Sequence, residues 1–177
     1  MNLSHPFVSE TVGADAWAVY EQLRSVSPSG HSAFMRHRGA SVLSSSPELF
    51  LRISGRDIET RPIKGTRPRF GDADADARSA YELMSSEKER SELVMITDLE
   101  RNDLGRVCEW GTVTVPEMLR LERYHQVFHL VSTIRGTLRE GVDPVAAFGA
   151  CFPGGSITGA PKKRAREIIA ELEPYSR

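Results

Sequence analysis

The sequence predicts an α+β domain, and three observations carry that prediction. Between His31 and Arg61, short runs of β-favouring residues alternate with turn residues, as in an antiparallel meander. On both sides of that region apolar residues recur at helical spacing. Strands and helices then follow one another without the strict alternation that a doubly wound parallel sheet requires. With 177 residues, 40% of them hydrophobic, the chain is long enough to bury the core of one globular domain.

The elements follow in order. Trp17, Tyr20 and Leu23 mark a helix over Asp15 to Val26, with Asp15 placed to cap it and Ser27-Pro28-Ser29-Gly30 placed to stop it. Strands are expected at 33–35, 41–43, 49–53 and 58–60, with Ser54-Gly55-Arg56-Asp57 as the turn between the last two. Residues 62–76 hold two prolines, two glycines and three aspartates and read as an exposed loop. Helical text resumes at Ala77. Ser86-x-x-Glu89 is a capping-box pattern, and Leu93, Ile96 and Leu99 continue an apolar stripe as far as Asn102-Asp103-Leu104-Gly105. Residues 111–115 and 127–134 are rich in β-branched residues and predict strands. Asp143-Pro144 opens a short helix, and Pro161 opens a last one running toward Leu172.

Composition removes whole classes of function. Against 24 acidic side chains stand 23 basic ones, for a net charge of −1, so no field attracts nucleic acid or an anionic membrane. No run of about 18 apolar residues occurs, and residues 1–10 lack the basic head and apolar stretch of a signal peptide. A cytoplasmic protein is expected. Cys108 and Cys151 sit outside any metal or redox spacing and read as small core residues. The chain opens directly on Asn2-Leu3-Ser4, and it closes in Glu173 to Arg177 just after an amphipathic helix with nothing to pack its flank. A piece of a longer protein is therefore expected.

Several places could carry chemistry. Lys64 stands between a rigid proline and a permissive glycine in Pro62-Ile63-Lys64-Gly65-Thr66-Arg67. It is either a solvated loop cation or a nucleophile, and the second role needs the neutral amine. Glu89 and Glu92, spaced i and i+3, leave one helix face together. They mark either a wet surface or part of a site for a hard cation, which would need further oxygen ligands. Pro153 to Lys162 is a glycine-rich turn entering a helix, read either as a plain tight turn or as an anion cradle. Ala160-Pro161 stands where a nucleotide P-loop demands Lys and Ser or Thr, so a carboxylate is the better anion. His129 reads first as a core histidine. Its spacing from His125 matches a zinc pair, but no glutamate follows His125 and the context is a strand. Glu48 precedes an apolar strand and could be a simple strand-end charge.

Taken in order, Ser46-Pro47-Glu48-x-Phe50, Pro62 to Arg69, Glu92 with Asp98-Leu99-x-Arg101-Asn102-Asp103-Leu104-Gly105-Arg106, His129-Leu130-Val131-Ser132 and Pro153 to Lys162 resemble the chorismate-utilising enzymes. The resemblance implies that family's fold, antiparallel sheets in a sandwich with flanking helices, truncated at both ends. Residues 1–177 would be one partial chorismate-binding domain lacking an N-terminal region and the C-terminal strands and helix, with a second glutamate pair of the metal site among the missing parts. Lysine between Ile63 and Gly65 resembles the aminodeoxychorismate synthases, whereas anthranilate synthases typically carry alanine there. By resemblance, Lys64 adds at C2 of chorismate, Glu48 protonates the departing C4 hydroxyl, and ammonia attacks C4 to give 4-amino-4-deoxychorismate, a p-aminobenzoate precursor. Glu92, with Glu89 through water, would hold Mg²⁺ against the ring carboxylate. Gly65, Thr66 and the backbone of Gly155, Ser156, Ile157, Thr158 and Gly159 would seat the substrate, and His129 would assist. A glutamine amidotransferase partner would supply ammonia. The alternatives are anthranilate synthesis, and an incomplete fragment that only binds ligand or self-associates.

Overall fold

A computed structural model describes residues 2–10 and 13–174; the last three residues of the closing segment, 175–177, lie outside the described residues. The chain divides into two compact units, one formed by His5–Leu49 and the other by residues 50–174 with 2–4.

In the first unit, α1 (Ala16–Val26) begins where expected, with the Asp15 carboxylate accepting the Ala18 amide hydrogen at 3.2 Å. It is followed by β1 (His31–His37) and β2 (Ala40–Ser46), which pair antiparallel from His31↔Ser46 to His37↔Ala40. The small core here is aromatic: Tyr20 is buried, with the Trp17 and Phe34 rings 5.6 and 5.5 Å from it.

The larger unit is built on a five-stranded sheet. Its strands are β3 (Leu49–Ser54), β4 (Asp57–Arg61), β5 (Ile63–Pro68), β6 (Thr114–Arg123) and β7 (Val127–Thr137). β7 is the centre: β6 lies along one edge, β4 and β5 share the other, and β3 pairs with β4. The antiparallel register with β7 runs unbroken from Asp57↔Thr137 through Lys64↔Leu130, and then slips at Gly65, so that Thr66 meets His129. β4 and β5 are thus one long strand jointed at Pro62, whose carbonyl accepts the Ser132 amide hydrogen at 3.2 Å.

Six helices occur among the described residues: α1, α2 (Ala73–Ser85), α3 (Glu87–Gly105), α4 (Pro144–Cys151), the single turn α5 (Gly155–Thr158) and α6 (Lys162–Leu172). The cap at Ser86 forms as predicted, its hydroxyl accepting from the Glu89 amide, and Asp143 caps α4. Leu83 of α2 and Leu93 of α3 pack with Phe128 and Leu130 of β7. A second cluster joins Ile58, Leu104, Ile134 and Leu138 with both cysteines, which are buried as predicted. The architecture is α+β, with antiparallel pairing throughout the registers given above.

Three boundaries differ from the sequence reading. The expected loop 62–76 contains β5, because a glycine with φ +78° at the slip lets the strand absorb an extra residue. α2 starts at Ala73 rather than Ala77, since Asp72 is a cap, accepting from Ala75 at 2.8 Å, and Asp74 and Asp76 favour the helix's positive end. β6 runs over Thr114–Arg123 rather than 111–115. Its accessibility alternates with period 2 from Thr114 to Leu121, but the residue types do not follow it, since Glu117 takes a half-buried place and Met118 an exposed one. No helix among the described residues is long and apolar enough to cross a membrane.

Candidate active site

Lys64 lies on β5 opposite Leu130, so its side chain shares the sheet face covered by α2 and α3. There Lys64 Nζ donates to the backbone carbonyl of Ser156 at 3.3 Å. That carbonyl also accepts from Asn2 Nδ2, and the Asn2 amide donates to Thr158 O at 3.0 Å. The nucleophile candidate and the glycine-rich turn, about ninety residues apart in sequence, therefore meet directly.

The turn is held close to α3. A Cβ placed on Gly155 would stand 2.7 Å from Leu99 Cδ2 and 3.2 Å from Leu99 Cγ, so a side chain there would have to displace Leu99 for α5 to approach α3 this closely. Gly155, Ser156, Thr158 and Gly159 are buried, whereas Ile157 is exposed. Of the amides expected to cradle an anion, those of Ile157 and Gly159 donate within the turn, to Gly154 O at 3.3 Å and Gly155 O at 2.9 Å.

The two glutamates expected to hold a metal sit one turn apart near the start of α3. Glu89 is drawn to β5: Arg67 Nη1 is 3.6 Å from Glu89 Oε1, and a Cβ on Gly65 would lie 3.3 Å from Oε2. Glu92 is half-buried and forms no ion pair among the described residues. Carboxylate oxygens are the donors Mg²⁺ takes, and two of them leave room for water and substrate oxygens in its shell. Among the described residues, no group of three or more His, Cys, Asp or Glu could hold a metal ion.

His129 lies on the opposite sheet face from Lys64, since it neighbours Leu130 on β7. It faces Thr66 Oγ1, 3.0 Å from Nδ1, with Gly65 O at 3.4 Å. A carbonyl only accepts, so both contacts are satisfied with the hydrogen on Nδ1. Burial pushes the imidazole below its ordinary range, partly opposed by the Gly65 carbonyl and Glu122. The Tyr124 ring meets His129 edge-on at 5.3 Å, and its hydroxyl donates to Glu122 Oε2 at 2.8 Å. Arg61 bridges Glu122 and Thr133 on the same face. Glu48 belongs to the other compact unit, in the link between β2 and β3, where its amide donates to Ser46 Oγ at 3.2 Å.

Three polar partnerships escaped the sequence. Thr60 Oγ1 donates to buried Glu100 at 2.7 Å. Lys162 pairs with buried Asp103. The Arg61–Glu122–Tyr124 set surrounds His129. The first two join residues at least forty positions apart, which no local spacing discloses; for the last, only the charges within the β6 text gave a signal.

The whole chain, residues 1–177, matches the family model described as chorismate binding enzyme. It is 46% identical over 169 residues to aminodeoxychorismate synthase component 1 of Bacillus subtilis, covering 96% of this chain and 36% of that protein. It is 48% identical over 170 residues to anthranilate synthase component 1 of Thermus thermophilus, covering 96% of this chain and 37% of that protein. Its structure superposes on anthranilate synthase component I from Streptococcus pneumoniae with a TM-score of 0.81 and 33% identity, over 94% of this chain and 36% of that one. The chain thus spans a little over a third of the length of these relatives, and their names divide between two conversions. On this match across its full length, the chain belongs to the chorismate binding enzyme family.

Proposed function

We propose that the protein aminates chorismate to 4-amino-4-deoxychorismate through a covalent intermediate on Lys64. The observation that supports this reading is the Lys64 amine at a strand bulge, resting on the Ser156 carbonyl. An amine so placed can form a bond to ring C2 while the C4 hydroxyl leaves as water, taking its proton from an acid. By resemblance that acid is Glu48, whose carboxyl must be protonated for the task. Ammonia from a glutamine amidotransferase then bonds to C4, and the bond from C2 to Lys64 breaks, returning the free amine. Glu92, with Glu89, would hold Mg²⁺, which when bound supplies positive charge to a substrate carboxylate. Gly65, Thr66 and the turn 155–159 would shape the seat, and His129 presents a neutral imidazole at the far side of the same bulge.

Anthranilate synthesis is the second reading, favoured by the 48% identity to the Thermus protein. Mass spectrometry of products from chorismate, Mg²⁺ and an ammonium salt separates the two. Aminodeoxychorismate from the native chain, lost or replaced by anthranilate in Lys64→Ala, is the expected outcome. Anthranilate from the native chain would overturn the assignment.

A further inference from the structure

Lys162 is largely buried and has the chemistry of a clamp. Its side chain is 13% exposed and that of its partner Asp103 only 4%. The ammonium donates to Asp103 Oδ2 and also to the backbone carbonyl of Cys151 at 3.0 Å. Cys151 ends α4 and Lys162 begins α6, so one ammonium ties together the two ends of the turn 152–161. Through Asp103 it also fastens that turn to α3. Burial raises the Asp103 carboxyl above its ordinary range while Lys162 opposes the shift, as a charge-assisted contact to a buried acid requires.

The segment closed in this way carries the Ser156 carbonyl that receives Lys64 Nζ. Its own amides at 157 and 159 bond inside the turn, and Gly155 stands against Leu99 and Glu100 of α3. Asn2 holds the middle of the turn, donating to Ser156 O and Thr158 O, and the tie to Asp103 and Cys151 holds its two ends together against α3.

We propose that Lys162 is a positioning residue for the Lys64 amine: by joining Asp103 to the Cys151 carbonyl it fixes the glycine-rich turn, and hence the Ser156 carbonyl, at the place where Lys64 rests. The assignment of Lys64 as nucleophile is the reading on which the catalytic meaning of this clamp rests. The clamp itself can be tested without turnover.

The chain has four lysines, at 64, 88, 162 and 163, and Lys88 is exposed, which makes it an internal reference. Reductive methylation followed by peptide mass spectrometry gives the ratio of the Lys64 to the Lys88 labelling rate. In Lys162→Met the ratio is expected to rise at least about threefold, with faster amide exchange confined to 154–159, because the turn opens locally and not globally. A folded Lys162→Met protein with an unchanged ratio would overturn the proposal. So would faster exchange spread equally over α2 and β7, the mark of a merely structural role. Should Lys162→Met fail to fold, Asp103→Asn, which keeps the shape and removes the charge, is read by the same ratio: a rise supports the clamp and no rise overturns it. Failure of the nucleophile reading is seen separately, as product formation unaffected by Lys64→Ala.

Discussion

Replacing Gly65 by alanine tests the most constrained point of the site. The residue sits at φ +78°, and an added Cβ would lie 2.7 Å from Leu83 Cδ1, 3.2 Å from Glu89 Cβ and 3.3 Å from Glu89 Oε2. Leu83 is fully buried between α2 and β7 and has nowhere to withdraw. Placing an L-residue in the left-handed region costs about 1–2 kcal/mol, and forcing a methyl into a filled site costs about 1–3 kcal/mol more. The expected loss is therefore about 2–5 kcal/mol, a fall in Tm of roughly 4–20 °C for a chain of this length. Gly71→Ala is the control, because nothing lies within 4 Å of a Cβ there and its φ is not in the left-handed range; its effect should stay within about 0.5 kcal/mol. Urea unfolding of both variants against the native chain gives the comparison. If Gly65→Ala were no more destabilised than Gly71→Ala, the bulge geometry argued here, and with it the placement of Lys64 and His129 on opposite faces, would be wrong.

Further predictions concern the surroundings of the same bulge. Thr60→Val removes the hydroxyl that donates to buried Glu100 and should cost about 1–3 kcal/mol in urea. Ser86→Ala deletes the cap of the helix carrying Glu89 and Glu92, for a loss of about 1 kcal/mol, again read by urea unfolding. His129 is held below its ordinary range by burial, so protonation favours the unfolded chain. Its contribution is present above the unfolded value of about 6.5 and is lost as the pH falls from there through the lower folded value. His129→Gln should therefore flatten the dependence of stability on pH between about 7 and 5; an unchanged slope would contradict the burial argument. Asp76 and Glu117, whose carboxyls are lowered chiefly by hydrogen bonds from Arg69 and Thr133 respectively, act only in the more acid carboxylate range and do not confuse that window.

The sequence disclosed what local rules control. Asp15, Ser86 and Asp143 cap helices because their short side chains can reach only backbone amides a turn ahead, and that geometry is written in a four-residue spacing. The β3–β4 turn at Ser54 to Asp57 was legible for the same reason. β5 was hidden because prolines and glycines that normally mark loops here occupy a strand that shares an edge with β4 and bulges at Gly65. β6 was hidden because Pro116 and Glu117 interrupt the apolar text and Met118 falls on the exposed side, although accessibility along the strand alternates as far as Leu121. Within the site, Lys64, Gly65 and the glycine-rich turn were found from their own neighbours, and the contact of Lys64 with Ser156 joined them. In the sequence Lys162 is only the end of a motif, because its contact depends on Asp103, fifty-nine positions away, a distance closed by the packing of α4 and α5 on α3.

The most direct test of the account is intact-protein mass spectrometry of the chain mixed with chorismate and Mg²⁺ in the absence of ammonia. The expected result is a covalent adduct equal to chorismate less one water, mapped by peptide analysis to Lys64, discharged on adding an ammonium salt and absent from Lys64→Ala. Consumption of chorismate without any adduct, or equal formation of aminodeoxychorismate by Lys64→Ala, would contradict the central claim that the amine at the β5 bulge is the nucleophile.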